Sequence, residues 1–384
     1  MGGMTRGGEP RMTGSSGPSR RLVIGLAGIV VALLVAGADV WIVGHFGANA
    51  GNGRTTDNYL NAIACPNAST CWAVGQIAST TGGNTLSESR DPLLEQETSG
   101  HWHRVAASGL PGQKYALEAI ACPGVTDCWA VGGSSAGGSA IITHWTGGTW
   151  QLAPSPDQRG GQLNAIACAS ASACWAIGGT QSRSGATAGV LEQWNGAQWS
   201  SAASLAGGLL PGEISCPVAG RCLALGVLGG APAAAAYSGG AWRPAPVPTA
   251  VPTAVPAASG GSRTGAVPSL FDCASPALCL AAFPGSRPVT DAWDGRAWTA
   301  VAGPLPTYPA GLTCSAAGGC WLLGTTGRSR PLTWRWQGHG WSPVTGPASH
   351  RHGYLNAVAC GDRCWAVGGA GSTRRTGAAY TTPL

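Results

Sequence analysis

Fourteen cysteines are the most conspicuous reactive groups in this 384-residue chain, and their spacing is regular. They fall into the pairs Cys65/Cys71, Cys122/Cys128, Cys168/Cys174, Cys216/Cys222, Cys273/Cys279, Cys314/Cys320 and Cys360/Cys364. The count is even and no cysteine stands alone, which in an oxidising compartment means disulfides. Structural zinc wants ligand pairs about two to four residues apart, with four ligands converging. Six of the seven pairs have five residues between them, and no matching histidine pairs occur. The spacing therefore favours short covalent staples over metal sites.

Other groups capable of chemistry are scattered. Glu95, Glu192 and Asp291 occupy equivalent places in the first, third and fifth repeats of the cysteine pattern. Carboxylates about 5 to 10 Å apart can hydrolyse glycosides. These three belong to strands remote from one another, and read as solvated surface acids. His101, His103, His350 and His352 have no convergent carboxylate and read as surface histidines. Asn67 heads an Asn-Ala-Ser sequon. No nucleophile elbow, P-loop, zinc-helix motif or dinucleotide fingerprint is present. The expectation is no catalytic residue, cofactor or metal, and no enzyme.

The elements that carry the cysteines follow from the repeat. First cysteines recur at 65, 122, 168, 216, 273, 314 and 360, a spacing typical of propellers and solenoids. The second repeat reads as strands at 117–122, 128–133, 140–145 and 149–154, separated by Gly- and Ser-rich turns. Four strands per repeat make a propeller blade, so the fold expected is all-β, a seven-bladed β-propeller. If Cys65 faces Cys71, Ala64 lies opposite Trp72, Ile63 opposite Ala73 and Ala62 opposite Val74. Both faces of that hairpin are apolar, as a sheet covered by neighbours on both sides requires. The alanines leave room for the indole. Each staple contributes about 2 kcal/mol in the chain-entropy picture. Most of the seventeen tryptophans recur at fixed places. They follow the second cysteine or sit in the fourth strand, which indicates core packing; stacking on sugars is the sharper alternative.

A second signature joins the third and fourth strands: "HWTGGTW" (144–150), "QWNGAQW" (193–199), "AYSGGAW" (236–242), "AWDGRAW" (292–298) and "RWQGHGW" (335–341). In the first repeat Glu97 replaces the aromatic. The shared glycine supplies the left-handed conformation of a tight hairpin. This resembles the Asp-box hairpin of sialidase-like propellers, Ser-x-Asp-x-Gly-x-Thr-Trp. Gly147, Thr149 and Trp150 match it, while Trp145 stands at the Asp position. The resemblance covers the repeat architecture of roughly 59–384 and implies a fold without an activity.

Residues 1–20 read as a disordered cytoplasmic tail. Residues 21–44 carry an apolar run long enough to span a bilayer, preceded by Arg20-Arg21 and interrupted by Asp39. The arginines should stay inside, so a signal anchor would place the rest outside the cytoplasm. A cleaved signal peptide and a secreted protein are the alternative. Residues 45–58 form a linker, and 59–384 the propeller. A Pro/Ala-rich insertion at 243–268 reads as an extended linker protruding from the ring. The last repeat has no fourth strand. It either remains three-stranded or borrows 39–47 or 51–58.

In an antiparallel blade, the connections from second to third strand share a rim with those between blades. The long segments fall there, including 75–92, 178–189, 324–331, 342–354 and 368–377. They bring Arg90, Arg159, Arg183, Arg263, Arg287, Arg328, Arg330, Arg351, Arg374 and Arg375 to that rim, with few acids. Arginine forks suit phosphate and carboxylate. The formal charge of +6 is too modest to indicate a nucleic-acid protein. The expectation is a membrane-tethered binding or scaffold module for an anionic envelope polysaccharide or an acidic protein partner. A secreted sialidase-like glycoside hydrolase and a structural envelope protein without ligand are the alternatives. Acids and arginines clustered at the axial mouth would favour the hydrolase.

Overall fold

The computed structural model describes residues 55–383, apart from 68, 82–86, 108–109, 111–113, 135–139, 157–160, 182–186, 203–204, 249–269, 284–287, 302, 304, 307, 316–318, 326–330, 345–352, 361–363 and 371–375. The expected tail, span and most of the linker lie outside this range. Among the described residues no helix is long and apolar enough to cross a membrane. Strands dominate, with one three-residue 3-10 turn at Ala206–Gly208.

Each repeat begins with an innermost strand, and these seven strands contact one another in succession around a closed ring. In the second repeat the strands are Tyr115–Gly124, Asp127–Ser134, Ala140–Trp145 and Trp150–Ala153, close to the ranges expected. Every cysteine is bridged to the mate its spacing suggests. The bonds are Cys65 to Cys71, Cys122 to Cys128, Cys168 to Cys174 and Cys216 to Cys222. Cys273 to Cys279, Cys314 to Cys320 and Cys360 to Cys364 complete the set. The register is the one the hairpin argument demands: Ala62 opposite Val74, Ile63 opposite Ala73, Ala64 opposite Trp72.

Seven separate blades are not what forms. The strands make six sheets, five of four strands and one of seven. The large sheet fuses the last repeat to the first. The first strand, Thr55–Asn67, is long enough to run past the ring, and its Thr56 and Asp57 pair in parallel with Thr376 and Gly377 of Thr376–Pro383. The last repeat therefore keeps three strands of its own, and the backbone of Thr56 and Asp57 covers part of its edge, which an open edge strand otherwise leaves unpaired.

Two further expectations change. The segment 75–92 is not one long loop: Thr70–Thr81 and Ser87–Thr98 continue as paired strands well past Gly75. The Pro/Ala insertion also starts later than 243. Arg243, Pro244 and Ala245 belong to the fourth strand Ala241–Ala245, an outer edge where proline is tolerated. The Pro246 carbonyl accepts a hydrogen bond from Trp298 Nε1 at 3.0 Å, pinning this exit to the fifth repeat.

Packing between repeats reuses one contact. The residue after the second cysteine inserts into the aromatic pair of the next repeat. Trp72 lies 4.7 Å from Trp145 and 5.2 Å from Trp150. Trp129 meets Trp194 and Trp199 at 4.6 and 5.3 Å. Trp175 meets Tyr237 and Trp242 at 5.0 and 5.3 Å. The ring closes the same way, with Trp365 at 5.6 Å from Trp102. Most of the indoles are buried, including Trp72 and Trp129, so these tryptophans are core. The turn glycines Gly147, Gly196, Gly295 and Gly338 have φ of 90°, 93°, 94° and 86°, as the hairpin motif requires.

Candidate functional site

The innermost strands do not run straight. In six repeats one residue, four before the first cysteine, is skipped by the pairing with the second strand. Leu60 faces Gly75 and Ala62 faces Val74, leaving Asn61 as a bulge. Glu118, Asn164, Gly212, Ala310 and Asn356 are skipped in the same way. A bulge bends its strand and re-aims the side chain. Glycine opposite the bulge is obligatory: a methyl at Gly132 would overlap the Ala116 carbonyl, and Gly75, Gly178 and Gly226 are confined alike.

The re-aimed side chains reach sideways to the neighbouring strand. Asn61 Nδ2 donates to the Leu117 carbonyl at 3.0 Å and to Glu118 Oε2 at 3.2 Å. Asn356 Nδ2 donates to the Leu60 carbonyl at 2.8 Å. Burial pushes the Glu118 carboxyl up from its ordinary range, and the charge of Arg90 partly offsets this.

Inside the ring lies a central cavity of about 510 Å³, walled by the innermost strands of all seven repeats. Three carboxyl groups face it: Glu118, Glu213 and Asp272. Asp272 is held by four donors. Its Oδ1 accepts from Ser215 Oγ and the Cys273 amide, both at 2.8 Å. Its Oδ2 accepts from the Cys314 amide at 2.8 Å and from Thr313 Oγ1 at 3.5 Å. One side chain thus ties the fourth, fifth and sixth repeats together. Desolvation raises its pKa, and the four hydrogen bonds oppose that rise.

Glu213 differs. It makes no hydrogen bond with any described residue. Desolvation, reinforced by nearby Asp272, pushes its carboxyl up to about 8. Five other repeats place Ala or Gly here, three before the cysteine, and the remaining one places Leu270.

The cysteines, conspicuous as they are in the sequence, contribute no reactive group to this site. Cys168, Cys216, Cys273 and Cys314 sit on innermost strands and line the cavity, but each is already spent in a disulfide. Their mates Cys174, Cys222, Cys279 and Cys320 belong to second strands, outside the cavity wall, and are buried between sheets. Cys364 likewise stays off the wall, half-buried against Cys360. All five are structural staples with no place in a binding site. The physical reason is that a cysteine facing its partner across the hairpin lies one strand further from the axis.

The other sequence-expected groups fall elsewhere. Glu192 and Asp291 are not solvated: both are fully buried between sheets, and Ser155 Oγ donates to Glu192 Oε1 at 2.7 Å. Burial here follows from the two-sided packing, which covers the middle of these third strands on both faces. Glu95 is half-buried, and desolvation raises its pKa against the opposing effect of Arg104. His101, His103 and Asn67 are exposed, while His350 and His352 lie outside the described residues. Of the rim arginines only Arg90 is described, half-buried on the strand Ser87–Thr98. Arg159, Arg183, Arg263, Arg287, Arg328, Arg330, Arg351, Arg374 and Arg375 lie outside. Glu97, at the missing aromatic of the first repeat, is buried and accepts a hydrogen bond from the Gly100 amide. His144, which the spacing did not single out, stacks on Trp129 at 3.7 Å and lies 2.7 Å from Asp127 Oδ1.

Sequence reasoning passed over the axial acids. A signal existed: Glu118, Glu213 and Asp272 each break an Asn- or Ala-rich column of the repeat alignment. Among the described residues no group of three or more His, Cys, Asp and Glu could hold a metal ion.

No family model matches the chain, and no curated protein matches it. Solved structures do. A structure of YCF48 bound to D1 peptide is similar over 84% of this chain and 95% of that one, at 15% identity and a TM-score of 0.52. YCF48 from Cyanidioschyzon merolae is similar over 82% and 94%, at 13% identity and TM-score 0.50. An acylaminoacyl peptidase of Pyrococcus horikoshii is similar over 85% of this chain and 51% of that one, at 6% identity and TM-score 0.50. The resemblance to sialidase-like repeats reaches the propeller architecture and no further. At these identities the likeness establishes a β-propeller fold and nothing narrower.

Proposed function

We propose that this chain is a non-enzymatic binding or scaffold propeller, held outside the cytoplasm by an anchor at 21–44. The observation that carries the binding reading is the chemistry of the axial mouth. Its carboxyl groups come with no arginine in the described lining, and Asp272 and Glu118 are committed to neighbouring strands. A sialidase-like hydrolase needs an arginine cluster beside its acid at that place. The cysteine pairs support an oxidising location, since every described cysteine is bridged. The antiparallel order sets the ends of all second and fourth strands on one rim, and function concentrates in such connections over a rigid scaffold. A structure of YCF48, similar in fold, is solved bound to D1 peptide, which is in keeping with a binding role for this propeller.

Arg328, Arg330, Arg374 and Arg375 are the proposed contacts for an anionic polymer or acidic partner. The test is binding of the full chain in detergent to heparin and to polyphosphate. Reversing those four charges together should abolish retention, and unchanged retention refutes the rim. The anchor is tested separately, by labelling engineered cysteines in residues 45–58 of intact cells with an impermeant reagent.

A further inference from the structure

We propose that the axial cavity takes one organic cation, a primary ammonium or guanidinium group, against the carboxyl of Glu213. This concerns a different surface from the arginine rim and stands whether or not the rim binds polymer. Three observations converge. The cavity, about 510 Å³, is large enough for an alkyl chain with a charged head. Its described lining holds no Lys, Arg or His, while Ile166, Phe271 and Leu312 offer apolar wall for the stem. Of the three acids facing it, Glu213 alone lacks a hydrogen-bond partner among the described residues. Asp272 has four donors and Glu118 has Asn61.

An unpartnered carboxyl in a desolvated wall is costly when ionised. Nearby Asp272 on the fifth repeat's inner strand makes matters worse, and Glu118 is the other acid in the same lining. Neutral Glu213 is therefore the favoured form at neutral pH when no cation pairs with it. A cation reverses the preference by pairing with the carboxylate. The step balances as protonated Glu213 plus R–NH₃⁺ giving the carboxylate–ammonium pair plus one released proton. A metal ion fits less well, because among the described residues no group of three ligating side chains converges on this position.

The experiment is titration calorimetry on the full chain in detergent near pH 7. The probes are n-propylammonium and methylguanidinium, with n-propanol as the uncharged control. Each is run in two buffers of different ionisation enthalpy. Expected is saturable binding of both cations but not of n-propanol, with release approaching one proton per cation. Glu213→Gln should weaken binding at least about tenfold. Spermidine against acetyl-Gly-Lys-Gly-amide then distinguishes a free polyamine from a peptide side chain as the source. Failure of every cation to saturate, or affinity unchanged in Glu213→Gln, overturns the proposal. Should that variant misfold, proton release by the unmodified chain decides: saturable binding without release also overturns it.

Discussion

The Asn356 side-chain amide donates to the Leu60 carbonyl at 2.8 Å, so two residues 296 positions apart in sequence clasp the last inner strand to the first. Asn61 makes the same gesture toward Leu117 one step round the ring. The clasp exists because a bulge turns the asparagine out of its own ladder. Asn356→Ala should lower stability by about 1–2 kcal/mol, leaving one carbonyl unmatched. The shift in denaturant midpoint measures it, and Asn61→Ala should cost a similar amount.

Asp272 serves as a three-way tie. Asp272→Ala removes the acceptor of the Cys273 and Cys314 amides, and a loss of about 3 kcal/mol or more is expected. Asp272→Asn should fall between this and the parent, because one amide oxygen still accepts. Equal stability of all three proteins by chemical denaturation would dismiss the tie.

The pH dependence of stability runs opposite to that of most carboxylate-rich proteins. Glu213 is raised to about 8 and Asp272 is raised as well, so the folded chain holds protons that the unfolded chain releases. Stability is then greatest below the unfolded carboxylate range, about pH 4, and is lost as pH climbs through about 8. Melting curves recorded between these limits should shift downward with rising pH. Glu213→Gln should flatten the slope, and an upward shift in the unmodified chain would contradict the assignment.

Each disulfide closes only its own hairpin. Replacing Cys122 and Cys128 together by alanine should cost about 2 kcal/mol, subject to strain. Peptide mapping without reductant should recover seven short linked fragments and no link between repeats.

Trp72→Ala should be among the most damaging single changes, at about 3–5 kcal/mol, since the indole is buried between Trp145 and Trp150 of the next repeat. Thermal unfolding gives the measurement. Leu152→Ala on an exposed outer position should have little effect.

What could be read in advance was what repeats: a period fixes strands, and Cys65 facing Cys71 sets the register from Ala64 back to Ala62, until the bulge at Asn61 shifts it. What deviates from the period was harder. Fusion of the first and last repeats depends on the extra length of Thr55–Asn67, and no local pattern encodes its meeting with Thr376. Glu192 and Asp291 were misread because polarity suggested water, whereas two-sided packing left them none. Glu213 stayed hidden because its role depends on what surrounds it in the ring.

The confinement of every sulfur bridge to one hairpin bears on how the chain is made. If the chain is exported as proposed, a cysteine leaving the channel finds its mate a few residues behind it, before any rival has emerged. Oxidation can therefore keep pace with translocation, each hairpin sealed on arrival, with no reshuffling of mismatched thiols afterwards. Such a chain should mature at normal yield in cells lacking a disulfide isomerase, provided that a thiol oxidase is present.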